Sequence, residues 1–244
     1  MALPKIDVPI FEVKLFSTDK KVKFRPFTVK EEKLFLIASE SDDPQSTITT
    51  IKQVLNNCIL DDTDIDSLPL FDIEMLFLNL RARSISEIVQ LKYKCNNNII
   101  KDDGKEHKCG NEVEIDVNVL EILPEMDQNH SNKIEINNKL GIVMKYPKMN
   151  LVKNDALNDE FELLLDLIVD CIDYIYDEDN LYYAKDSTKE ELVEFLETLQ
   201  SKDLENIKQF FDTMPKMKKI LDFKCGKCGY EEKIDVEGIQ NFFG

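Results

Sequence analysis

Four of the six cysteines sit in two stretches that repeat each other. Residues 108–117, KCGNEVEIDV, and 227–236, KCGYEEKIDV, share K-C-G-x-E-x-x-I-D-V position for position. Upstream, LKYKC (91–95) matches LDFKC (221–225), so each copy reads strand, cysteine, connector, Cys-Gly, strand. A Cys-x-x-Cys turn presents two sulphurs to one side of a tight knuckle, and tetrahedral zinc takes two such pairs. Cys225 with Cys228 supplies one pair and Cys95 with Cys109 the other. The glycines after Cys109 and Cys228 permit the positive φ with which a chain turns back round a metal. The spacing therefore predicts one zinc-ribbon-like site built from two distant knuckles related by a pseudo-twofold axis. Its first half is irregular: thirteen residues separate Cys95 from Cys109, where roughly two to four are usual. NNNIIKDDGKEHK must then loop out as an exposed excursion, which its polarity and Gly104 allow. His107, two residues before Cys109, is an alternative ligand to Cys95.

Four thiolates close a tetrahedron, the structural kind of zinc site, whereas catalytic zinc keeps one position open for water. No H-E-x-x-H helix, Ser-His-Asp or Cys-His-Asn set, or H-x-E deaminase signature accompanies the cysteines. With two histidines in the chain, acid–base work would fall on carboxylates, so no enzyme is expected. DDTDID (61–66) lacks the central Gly and distal Glu of a calcium loop and reads as a solvated linker between helices. YDEDN (176–180) reads likewise as a polar loop after a helix. His130, in the polar run MDQNHSN, is expected to be solvated. Cys58 and Cys171 fall on apolar helix faces, where a reduced cysteine behaves as a small hydrophobe.

The elements that must position the cysteines follow from periodicity. FEVKLFSTDKKVKFRPF alternates on both sides of a polar turn and predicts a β-hairpin over Phe11–Phe27. Thr28 with Glu31 has the form of a capping box and opens a helix carrying Leu34, Phe35, Ile37 and Ala38. A second helix follows SDDP with Ile48, Ile51, Val54, Leu55 and Cys58, and LFDIEMLFLNLRARS makes a third. The period then switches to two: ISEIVQLKYKC and NEVEIDV are strands, and KIEINNKLGIVMKYP is another hairpin. NDEFELLLDLIVDCIDYIY reads as one long amphipathic helix, STKEELVEFLETL as a capped one and LENIKQFFDTM as another that ends at Pro215. KKILDFKC returns to strand, and EGIQNFFG closes as a short helix or turn. The fold class is α+β, with helical layers around a small β unit assembled from two distant segments. Four regions result: 1–84, hairpin plus helices; 85–150, β with the first knuckle; 151–218, helical; and 219–244, the second knuckle, packing on 85–117.

Composition narrows the partners. A net charge of −17 and a pI near 4.6 oppose nucleic-acid binding, which needs clustered Lys and Arg, and suit a basic protein partner. No apolar run reaches the roughly 20 residues of a membrane span, and MALPKIDVPIF lacks a signal-peptide pattern. The expected compartment is therefore a reducing cytoplasm, where closely paired cysteines serve as metal ligands. A zinc-ribbon module associated with nucleic acid is the alternative that the knuckles permit and the charge disfavours.

Several stretches go beyond spacing. LPKIDVPIFEVKL, VKFRPFTVKEEKLFLIA, DIDSLPLFDIEMLFLNLRARSISEIV and FKCGKCGYEEKIDVEGIQNFFG resemble the baseplate family of T4-type tailed bacteriophages, hub-associated proteins of contractile tails. The resemblance covers about 3–117 and 219–244. It rests on Arg25-Pro26-Phe27 with Lys30-Glu31-Glu32, on Phe71-Asp72-Ile73-Glu74 leading to Leu80-Arg81-Ala82-Arg83-Ser84, and on Phe242-Phe243-Gly244. Between them, 118–218 matches only in helical character, and the long first knuckle departs from the family's compact cysteine turn. The resemblance implies a non-enzymatic part of the tail baseplate hub in the virion, or a chaperone for hub assembly, with hub and wedge proteins as partners. Arg25, Arg81, Arg83, Phe242 and Phe243 are the candidate contact residues. The alternative for Arg25 and Arg81 is internal pairing with Glu31, Glu32, Asp72 or Glu74; for the phenylalanines it is capping the knuckle's small core.

Overall fold

A computed structural model describes residues 6–39, 44–100, 104–149 and 160–238. The chain starts with the expected hairpin, β1 (Phe11–Lys14) against β2 (Lys21–Phe24), closed by the Leu15 N–H donating to the Lys20 carbonyl at 2.8 Å. Thr28 opens α1 (Val29–Ser39). Its N–H donates to Glu31 Oε2 at 2.9 Å, half of a capping box, and its hydroxyl donates to the same oxygen at 2.7 Å. In α2 (Pro44–Cys58), Ile51, Val54, Leu55 and Cys58 are buried on one face. The acidic linker is consumed locally: Asp61 accepts from the Lys23 N–H at 2.8 Å, and Asp64 caps a short 3-10 turn. Next comes α3 (Leu70–Ser84), interior along most of its length.

Asp72, in the first turn of α3, is fully buried yet satisfied. Its Oδ1 accepts from the Phe16 N–H at 2.8 Å, and its Oδ2 accepts from the Ser17 hydroxyl and lies 3.3 Å from the Ser17 N–H. One carboxylate therefore fastens the β1–β2 turn to the third helix.

The middle of the chain contains β3 (Ile88–Lys94), a small excursion of β4 (Asn98–Ile100) and β5 (Glu106–Lys108), then β6 (Glu112–Asn118) and β7 (Pro124–Glu125). β3 pairs antiparallel with β6 from Ile88↔Asn118 to Lys94↔Glu112. β8 (Lys133–Glu135) and β9 (Gly141–Met144) form the next hairpin.

The run expected as one long helix divides. α4 spans Glu160–Cys171, and Ile172–Tyr176 continue as β10 beside β9. IDYIY is β-branched and aromatic, a composition that packs better on a pleated surface than on a helix, and Ile172 and Ile175 are buried there. β11 (Leu181–Tyr183) completes a four-stranded sheet ordered β11-β10-β9-β8, so region 151–218 holds strands as well as helices. α5 (Lys189–Glu197) has a full Thr188–Glu191 capping box, and α6 (Ser201–Thr213) stops before Pro215. β12 (Lys216–Lys224) and β13 (Glu231–Glu237) form the last hairpin, with β7 on β12's far end. The expected closing helix or turn falls mainly on 239–244, outside the described residues.

Two main cores result. The first joins β1, β2, α2 and α3 to Val89, Leu91 and Val117 of the middle hairpin and to Met217, Leu221 and Val236 of the last. The second packs β8, β9 and β10 against α4, α5 and α6. Tyr146 bridges the two cores, meeting Phe71 of α3 edge to face with ring centroids 5.2 Å apart and stacking on Phe210 of α6 at 5.7 Å. The observed class is mixed α and β with small antiparallel sheets.

Candidate metal centre

The repeated cysteine turns become repeated hydrogen bonds. In the last hairpin the Cys225 N–H donates to the Tyr230 carbonyl at 2.8 Å and the Gly229 N–H to the Cys225 carbonyl at 2.9 Å. In the middle hairpin the Cys95 N–H donates to the Asn111 carbonyl at 2.9 Å and the Gly110 N–H to the Cys95 carbonyl at 3.0 Å. Gly110 and Gly229 have φ of 64° and 74°, which a side chain disfavours. Cys95 thus corresponds to Cys225 and Cys109 to Cys228.

The excursion folds as a tiny hairpin. β4 and β5 pair from Asn98↔Lys108 to Ile100↔Glu106, and the Cys109 N–H donates to the Asn97 carbonyl at 2.8 Å. That bond brings the ends of the excursion together, so Asn97 and Cys109 take the places of Lys227 and Cys228 in the other knuckle. His107 sits on β5 opposite Ile99 and is outside the ligand group.

The four sulphurs lie within 4.8 Å of one another. Cys95 Sγ is 3.6 Å from Cys228 Sγ, and Cys109 Sγ is 3.8 Å from Cys225 Sγ. A tetrahedral ion with bonds of about 2.3 Å sets sulphurs about 3.8 Å apart, so the donor set fits and could hold a metal ion. Cys95, Cys109 and Cys225 are buried in a small cluster with Phe223, flanked by Tyr93, Ile115 and Ile234. The knuckles differ electrostatically. Backbone N–H groups of Cys228 and then Lys227 draw the Cys225 thiol down to about 6. The Tyr230 N–H lowers Cys228, which also has Asn97 Nδ2 at 3.6 Å. Burial pushes Cys95 up to about 12, so a cation entering there must displace a proton. Cys58 and Cys171 lie elsewhere, raised by burial to about 11 and about 12.

The candidate contact arginines have individual surroundings. Arg25 Nη2 pairs with Glu31 Oε1 at 3.1 Å and donates to the Asn57 carbonyl at 3.1 Å. Arg83 pairs with Glu87 at 2.5 Å and lies over the Phe11 ring. Half-buried Arg81 has no carboxylate partner among the described residues, and its Nη1 lies 3.5 Å from the Ser86 carbonyl. Phe242 and Phe243 lie outside the described residues. Burial works to raise the Glu31 carboxyl, but hydrogen bonds from Arg25 and Thr28 outweigh it and hold it at about 2 against an ordinary 4.5. The stability this gives is present above the unfolded carboxyl's value and is lost as pH falls toward 2. Glu31→Gln should accordingly flatten the acid side of a melting-temperature profile. An unchanged acid slope in the variant would exclude the pair as its source.

His130 departs from expectation. Its Nδ1 is 2.9 Å from Thr213 Oγ1, its Nε2 is 3.1 Å from the Tyr146 hydroxyl, and its ring stacks on Tyr146. Burial lowers its pKa. A polar run such as MDQNHSN carries no local signal that a distant helix end will cover it.

A family model described as T4 bacteriophage base plate protein matches residues 8–244. The match runs through 118–218, the stretch in which only helical character had been recognisable. No curated protein and no solved structure matches the chain. Matched along nearly its whole length, this chain, with its paired cysteine knuckles, belongs to the T4 bacteriophage base plate protein family.

Proposed function

We propose that the chain is a structural component of the baseplate hub, retained in the virion and acting through contacts with hub and wedge proteins. In this reading Cys95, Cys109, Cys225 and Cys228 hold a structural zinc ion. The observation that carries it is the convergence of two matching knuckles, 116 positions apart at Cys109 and Cys225, on one set of sulphurs at tetrahedral spacing. Zinc there staples the β12–β13 hairpin onto the β3–β6 hairpin. Four sulphur donors leave no position for a substrate or water, which supports a non-catalytic ion.

Family membership supports the setting, a virion tail with other baseplate proteins as neighbours. Among the described residues no helix is long and apolar enough to cross a membrane. The charge of −17 favours protein over nucleic-acid partners. We assign Arg81 and Arg83, on the last turn of α3, and Phe242 and Phe243 to those contacts. Quantitative mass spectrometry of purified phage particles and of hub assembly intermediates tests the role. A whole-number ratio to a known hub subunit in finished particles is the expected result. Presence in intermediates with absence from particles would make the chain an assembly chaperone instead.

A further inference from the structure

The segment before β1 has an unusual exposure pattern. Ile6, Val8 and Ile10 are 90%, 40% and 63% exposed, and they fall at alternate positions of the segment that runs directly into β1. Which backbone groups this edge offers follows from the hairpin register. Leu15 donates to the Lys20 carbonyl, and bonded pairs alternate along an antiparallel ladder. With Val13↔Val22 and Phe11↔Phe24 in register, Val13 and Phe11 turn their N–H and C=O groups toward β2. Glu12 and Lys14 turn theirs away.

The far side of β2 confirms the parity. The Arg25 N–H donates to the Cys58 carbonyl and the Leu60 N–H to the Lys23 carbonyl, both at 2.9 Å, so β2's outer edge is covered. β1's outer edge is not. Among the described residues, no hydrogen bond reaches the backbone of residues 6–10 or the outward groups of Glu12 and Lys14. Continued back from β1 as a strand, the same parity turns the N–H groups of Val8 and Ile10 outward. Pro9, which lacks an N–H, falls on the inward side, where a ladder on the outer edge loses nothing.

The β13 edge of the last sheet, by contrast, is guarded. β13 carries Glu231, Glu232, Lys233, Asp235 and Glu237, the charge pattern that discourages strand pairing. The edge at 6–14 keeps Glu12 and Lys14 at one end but bares three apolar side chains at the other.

We propose that residues 6–14 form a docking edge that takes an extended segment of a different baseplate chain as an added β-strand. This rests on the family's baseplate setting. The ladder of outward donors and acceptors fits a strand and not a helix, and Ile6, Val8 and Ile10 call for apolar residues at alternate positions of the incoming segment. A second copy fits poorly. Antiparallel self-pairing about Ile10 sets Ile6 against Lys14 and Val8 against Glu12, and two chains of charge −17 repel.

The test is residue-resolved hydrogen exchange on the purified full-length chain and on tagged chain recovered from infected cells within baseplate complexes. In the free chain the amides of Val8, Ile10, Glu12 and Lys14 should exchange fast while those of Phe11 and Val13 are protected. In complexes the even-numbered set should slow by about a hundredfold or more. Ile10→Pro, which removes one outward donor, should lower recovery in complexes about tenfold relative to Ile10→Ala, which keeps it. Complexes in which these amides stay fast would overturn the docking edge while leaving the baseplate role intact. Protection in a homodimer would assign the edge to a second copy and overturn the proposed partner. Recovery of uncomplexed chain only would overturn the edge and the baseplate reading together.

Discussion

If the four cysteines hold the proposed zinc, Cys228→Ala is expected to abolish metal binding and loosen the last hairpin from the body of the protein. Three sulphurs leave the tetrahedron open, and removing Cys228 also frees Asn97, whose amide points at that sulphur. Structural zinc contributes on the order of 10 kcal/mol in small zinc-dependent folds. Here the hairpin also buries Met217, Leu221, Phe223 and Val236, so apolar packing should survive and the net loss should be several kcal/mol. Zinc should fall from about one ion per chain to below about a tenth. Limited proteolysis should then open the chain between β12 and β13. Cys171→Ala, in the other core, should lower stability without touching the metal content. Stoichiometric zinc together with an unchanged melting temperature in Cys228→Ala would refute the four-cysteine centre. Because the ligands must be deprotonated, occupancy should also fall as pH is lowered.

Asp72→Ala should produce the second large effect, a loss of about 3 kcal/mol, or roughly a 10 °C drop in melting temperature. The carboxylate is fully buried and takes the backbone of Phe16 and the hydroxyl of Ser17. Alanine removes charge-assisted bonds and leaves those donors unpaired at the edge of the first core. Asp72→Asn keeps an acceptor but turns an NH2 toward the donors, so it should fall between the two. Hydrogen exchange at Phe16 and Ser17 should rise in both variants. A melting temperature within about 2 °C of the parent would show that the turn holds itself.

These two sites differ in how much of them could be read in advance. The cysteine quartet is written in the chain as a repeated ten-residue phrase, and matching local sequences fold into matching turns because glycine and the flanking strand pattern act over a few residues. Asp72 is readable only as part of FDIE and as a possible partner for an arginine, whereas it binds Phe16 and Ser17. Nothing near it announces that its partners lie 55 and 56 positions away.

The same distinction runs through the fold. The hairpins at 11–24 and 133–144, the helices before residue 85 and the capped helix after Thr188 follow from side-chain periodicity and capping, which are local forces. Ile172–Tyr176 became a strand because β9 offered it a ladder and a buried face, a tertiary gain that outweighed the helical pattern running into it. His130 is partly covered by Tyr146, Phe210 and Thr213, which no neighbour in sequence foretells.

By itself, then, the sequence determined which four cysteines belong together, the local elements that carry them and the acidic character of the surface. Tertiary structure alone decided that Cys95 faces Cys228 and Cys109 faces Cys225, that the excursion closes as a hairpin so that a thirteen-residue gap still makes a knuckle, and that the outer edge of β1 has no ladder partner among the described residues. The reason is that turns and periodicity act between neighbours, whereas pairing partners are chosen by burial and by backbone groups seeking hydrogen bonds across the whole chain.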